Sequence, residues 1–138
     1  MSEVNPAWPF TSICFVPEME QNPVMDLSRQ PTLEDVLARL RALRDRQGWA
    51  RFHNAKDLAV ALSVESAELL EHFLWASPEE VIHKVQTNRP AIVDEVADIA
   101  IYLLYLCDAL GIDLLAAVEQ KHAVNEQRAG QWPKAGTT

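Results

Sequence analysis

Two pairs of acids, Glu65-x-x-Glu68 and Glu95-x-x-Asp98, are embedded in segments whose other residues follow the pattern of buried helix. A spacing of three puts both members of a pair on one helical face, about a turn apart. Leu58, Ala61, Leu62, Leu69, Leu70 and Phe73 surround the first pair; Ile92, Val96, Ile99, Ala100 and Leu103 surround the second. Acids this close to a core need compensation. Two carboxylates about 6 Å apart repel by roughly 3 kcal/mol at an effective dielectric of about 20. Four that converge must therefore take up protons or hold a cation, and the fold must set their two helices side by side. Hard oxygen donors with no obligatory His or Cys favour Mg²⁺, with Mn²⁺ next, over Zn²⁺. Glu71 is near enough to join the set, whereas Asp94 is expected to face solvent.

The rest of the chain supplies further helices. Thr32 is a candidate N-cap with Asp35 three residues on, and Leu33, Val36, Leu37, Leu40 and Leu43 form an apolar stripe. Gly48 should end this helix, and residues 49–56 form a loop. A second helix is expected from about Asp57 to Trp75. Ser77-Pro78-Glu79-Glu80 offers an N-cap, a first-turn Pro and a capping-box acid for a short third helix to about Gln86. A fourth runs from the Thr87–Pro90 stretch to Gly111, and a fifth from Asp113 to Gly130. No strand pattern competes. The expected fold class is all-α, a bundle of four to five helices over residues 32–133.

Residues 1–31 hold five of the eight prolines and show no helical period, so they read as an N-terminal arm. Residues 134–138 read as a tail, and Met25 is an alternative start. The arm has no Lys or Arg before Arg29, and Pro6, Pro9 and Pro17 break its apolar stretches, unlike a secretory signal. The apolar run from Ile99 to Cys107 is too short to span a bilayer. Two distant cysteines, Cys14 and Cys107, suit a reducing compartment. The expectation is a cytoplasmic protein without membrane contact. A net charge of −8 argues against polymeric nucleic acid but not against one nucleotide, because a bound metal reverses the local field. The fourth helix is apolar around most of its circumference, more than a small bundle can cover. Part of it is expected to form a subunit interface.

Three other constellations matter. Glu80-x-x-His83 and Glu119-x-x-His122 match the ligand pair of di-iron carboxylate bundles. The segment around His83 is short, however, with only Val81, Ile82 and Val85 as apolar support. Lys121, Asn125 and Arg128 share one face of the last helix. Alone they suit a helix C-terminus; opposite an acidic metal site they make a polyphosphate clamp. Trp49, Phe52 and His53 in the loop, with Trp75, offer aromatic surface for a nucleobase. Trp75 otherwise reads as end-of-helix packing, and His53 as a loop-anchoring hydrogen bonder.

Together these residues resemble the all-α nucleoside triphosphate pyrophosphatases, the MazG-like superfamily, and within it the dCTP pyrophosphatases. The similarity lies in Trp49-Ala50-Arg51-Phe52-His53, in Glu65-Ser66-Ala67-Glu68 with Phe73-Leu74-Trp75, in Glu95-Val96-Ala97-Asp98 through Tyr102, and in Lys121, Asn125 and Arg128. It covers about residues 32–133, in order. Such enzymes cleave between the α- and β-phosphates, giving a monophosphate and pyrophosphate. The resemblance implies Glu65, Glu68, Glu95 and Asp98 as Mg²⁺ ligands, with Glu65 also orienting or deprotonating the attacking water. It implies Lys121, Asn125, Arg128 and Tyr102 as phosphate contacts, Trp49, His53 and Trp75 as base contacts, and assembly as a homodimer or homotetramer with sites near the interface. Leu40 stands where dCTP-type members can carry a His that contacts the nucleotide. No Tyr-Pro follows Arg128.

The expected function is Mg²⁺-dependent removal of unwanted deoxynucleotides, dCTP-like ones first. The alternatives are a di-iron redox or storage bundle and a non-enzymatic helical dimer that binds nucleotide or protein.

Overall fold

The computed structural model describes residues 30–129. Residues 1–29 of the proline-rich arm, with Met25 and Cys14, the expected stop at Gly130 and the tail lie outside these residues. Within them the chain is all-α, with no strand.

Helix α1 (Leu33–Arg46) begins at Thr32 with a complete capping box. Asp35 N–H donates to Thr32 Oγ1 at 3.2 Å, and Thr32 N–H donates to Asp35 Oδ2 at 2.8 Å. Gly48, left-handed at φ 68°, follows it, and Trp49–Phe52 form a 3-10 turn rather than an irregular loop.

Helix α2 (Ala55–Glu71) starts at Asn54, whose side chain accepts from Asp57 N–H at 3.0 Å. It ends four residues before the expected Trp75. The reason is local. Ser77, before Pro78, is extended at ψ 164° as such a residue prefers, and the chain reaches it through turns in which Phe73 N–H donates to Leu70 C=O and Ala76 N–H to Phe73 C=O. Trp75 takes the left-handed turn at φ 59°, a conformation ordinarily left to glycine.

Helix α3 (Pro78–Thr87) carries the predicted capping box: Ser77 N–H donates to Glu80 Oε2 at 2.7 Å. Asn88 joins it to α4 (Arg89–Leu110), which Gly111 ends at φ 64°. Asp113 Oδ1 then accepts from Ala116 N–H at 3.0 Å and opens α5 (Leu114–Ala129).

The core is the seam between antiparallel α2 and α4, the most extensive helix pairing in the structure. Leu58, Ala61, Tyr102 and Tyr105 are buried there, with Leu40, Leu62, Ile101 and Leu106 packed around them. Helix α1 is fastened across α4 by polar contacts. Asp108 accepts from Arg41 Nη2 at 2.6 Å and from Arg44 Nη1 at 2.9 Å, and Tyr105 Oη donates to Leu40 C=O at 2.8 Å.

Much apolar surface stays uncovered. Val60 and Val64 on α2, Val93 and Val96 on α4, and Leu115 and Val118 on α5 are all exposed. Helix α5 leaves α4 at a bend of 99°. Beyond Leu114 every described residue of α5 is exposed.

Candidate active site

The α2–α4 seam decides where the paired acids go. Glu65 lies two turns beyond Leu58 along α2, and Asp98 lies one turn before Tyr102 along α4. Because Leu58 packs against Tyr102 and Tyr105, the antiparallel pairing sets Glu65 opposite Glu95 and Asp98. All three are half-buried and present carboxylate oxygens within 4.8 Å of one another. No other group of this kind occurs among the described residues.

Their electrostatics follow from this crowding. Burial first, then Asp98, Glu68 and Glu95, push the Glu65 carboxyl up to about 7. Burial and its acidic neighbours also raise Glu95 and Asp98. Left to itself, the trio takes up a proton as pH falls through about 7. The same donor set suits a divalent cation of magnesium size, whose ligand oxygens lie at most about 4.2 Å apart, a small side-chain adjustment from the distances here.

Glu68 differs from its expected place. It is exposed and outside the trio, lining a neighbouring cleft of about 520 Å³ with Glu71, His72, Lys84, Asn88 and Glu95. Asp94 is exposed, as expected, but so are Leu70 and Val96, which the apolar pattern set beside the acids.

Tyr102 is buried in the core. Burial, then the charges of Glu65 and Asp98, push its phenol up to about 12, so it stays protonated. His53 is half-buried, its ring edge-on to Tyr105 with centroids 4.4 Å apart. Its Nδ1 is buried without a hydrogen-bond partner, and burial lowers its pKa. Trp75 is 97% exposed.

The base-binding candidates do not meet within one chain. Trp49 and His53 precede α2 and Trp75 follows it, so the 17 residues of α2, about 25 Å of helix, separate them. Lys121, Asn125 and Arg128 are likewise exposed on the divergent α5.

The di-iron candidates do not assemble either. The Glu80 carboxylate is engaged in the α3 capping box, and His83, Glu119 and His122 are exposed, His122 standing 3.7 Å from Glu126.

Lys84, His72 and Asn88 in the cleft went unsuspected in the sequence, as did the Arg41–Arg44–Asp108 fastening. The signal for the second was present: Asp108 is another acid inside an apolar helical run.

A family model described as the MazG-like family matches residues 60–134, which include both acid pairs. The chain belongs to the MazG-like family. This MazG-like chain is 39% identical to a pyrophosphatase from Archaeoglobus fulgidus DSM 4304 of known crystal structure. The TM-score is 0.70, and the match covers 77% of this chain and 96% of that one. It is also 35% identical over 103 residues to dCTP pyrophosphatase 1 of Rattus norvegicus and 33% identical to that of Homo sapiens. Each of these matches covers 73% of this chain, which spans 61% of the length of those curated relatives.

Proposed function

We propose that this MazG-like chain hydrolyses a nucleoside triphosphate to the monophosphate and pyrophosphate, with dCTP-like deoxynucleotides as substrates and removal of unwanted ones as its role. The observation that carries this is the convergence of Glu65, Glu95 and Asp98 from two helices. The similarity to proteins named pyrophosphatase and dCTP pyrophosphatase supports it.

Glu65, Glu95 and Asp98 would hold Mg²⁺, with Glu68 reaching in from the adjoining cleft. When bound, the cation would neutralise phosphate oxygens and make the attacking water more acidic. Glu65 accepts the proton of that water as its oxygen attacks phosphorus and the α–β bridging bond breaks. Tyr102 packs beneath the trio and keeps its hydroxyl proton.

A second copy completes the site. Exposed valines on α2 and α4 and the uncovered α5 give it a surface to occupy. It would bring Lys121, Asn125 and Arg128 to the phosphates and a Trp75 to the base.

Pyrophosphate release from a dNTP panel, with and without Mg²⁺, tests this. Release from dCTP or a close analogue only with the metal is the expected result. Nucleotide binding without turnover would favour a non-enzymatic dimer, and no release or binding would end the proposal.

A further inference from the structure

The cleft beside the acid trio has one wall the acids do not explain. Lys84 on α3 and His72 just past α2 are half-buried and face it, with Asn88 at the α3–α4 junction. Glu68, Glu71 and Glu95 form the remainder. Lys84 makes no ion pair within 4 Å of any of the three carboxylates that border the same space, and its charge acts on Glu80 one turn back on α3. Nor does the Asn88 side chain cap α4. A cation and an amide are thus held apart from the acids by a space of about 520 Å³, within the range of small-ligand sites.

Direction along α4 says which part of a substrate reaches there. His53 packs at Tyr105; Tyr102, Asp98 and Glu95 follow towards the start of the helix, and Asn88 stands at its beginning. From Tyr105 to Glu95 is about 15 Å of helix. A triphosphate whose base lies at the Trp49–His53 turn therefore passes the acid trio first and reaches Lys84 with its far phosphates.

We infer that Lys84, with Asn88 beside it, binds the β- and γ-phosphates and hence the departing pyrophosphate. This rests on the pyrophosphatase reading above. It makes Lys84 a binding residue from the same chain as the acid trio, distinct from the cations of α5. An ammonium there would meet the anionic phosphates directly, and charge-assisted bonds of this kind are the strong ones.

The test uses the full chain, with Lys84→Ala and Lys84→Arg beside wild type. Inhibition by inorganic pyrophosphate and by nucleoside monophosphate, KM, and the Mg²⁺ midpoint are measured. Lys84→Ala should raise the Ki of pyrophosphate and the KM about tenfold. It should leave monophosphate inhibition and the Mg²⁺ midpoint unchanged, and Lys84→Arg should recover part of the loss. An unchanged pyrophosphate Ki in a folded Lys84→Ala protein overturns the inference. So does a tighter Mg²⁺ midpoint without a pyrophosphate effect, which makes Lys84 a counter-charge only. Absence of turnover in wild type rejects the pyrophosphatase reading instead. In that case the thermal shift by pyrophosphate with Mg²⁺ still reports on Lys84: loss of the shift in Lys84→Ala supports it, and no shift in wild type overturns it.

Discussion

Glu65 on α2 and Asp98 on α4 present carboxylate oxygens within 4.8 Å of each other, although 33 positions separate them in the chain. The Leu58–Tyr102–Tyr105 seam holds them there, so their repulsion is imposed by packing. Removing one charge should therefore relieve the fold while it harms the chemistry. Glu65→Gln should lower kcat by two orders of magnitude or more, as loss of a positioned proton acceptor does. Asp98→Asn should weaken Mg²⁺. Both variants should melt no lower than wild type without metal, by calorimetry alongside steady-state kinetics.

The raised Glu65 pKa has a stability consequence of definite sign. Its folded value, about 7, lies above the ordinary value of 4.5. The native state therefore binds a proton that the unfolded chain releases. That stability is fully present below about pH 4.5 and is lost as pH rises through about 7. Metal-free protein should show a falling Tm over this window. Saturating Mg²⁺ or Glu65→Gln should flatten the profile, and Mg²⁺ should bind more tightly as pH approaches 7.

Asp108 carries two arginines from α1 and little solvent contact, its side chain being 16% exposed. Hydrogen bonding from Arg41 is the largest cause holding its carboxyl below the usual range. Asp108→Ala should destabilise the fold by on the order of 1–3 kcal/mol, by removing the carboxylate that ties α1 to α4, while Arg41 keeps Glu34 and Arg44 keeps Asp45. Denaturant unfolding should show this, with KM little altered in the remaining folded protein.

Trp75 holds a left-handed backbone with its side chain in solvent, so among the described residues no side-chain packing compensates the strain. Trp75→Gly should keep or raise Tm, by up to about 1 kcal/mol in stability, because the Cβ penalty disappears. The same change should weaken nucleotide binding. A stabilised variant with unaltered KM would deny Trp75 its place at the base.

Exposed valines on α2 and α4 lead to the last prediction. Val64→Glu or Val96→Glu should convert an oligomer to monomer in sedimentation and abolish turnover, since α5 would lose its route to the acids. Helical content should persist, because neither side chain is in the core.

Local chemistry is legible in the amino-acid order alone. Thr32 and Ser77 open their helices as capping boxes, Gly111 closes α4, and the acid spacing puts each pair on one face. Such features need only neighbours within a turn, so a sequence states them outright. The apolar flanks of Glu65 and Asp98 likewise announce that their helices meet. Tertiary structure decided the rest: the place of Glu68 in the adjoining cleft, the arrival of Lys84 and Asn88 beside Glu95, the separation of His53 and Trp75 at opposite ends of α2, and the departure of α5. Those outcomes depend on helix pairing and on two turns, at Trp75 and at Gly111–Asp113, whose angles accumulate over distances no local pattern encodes.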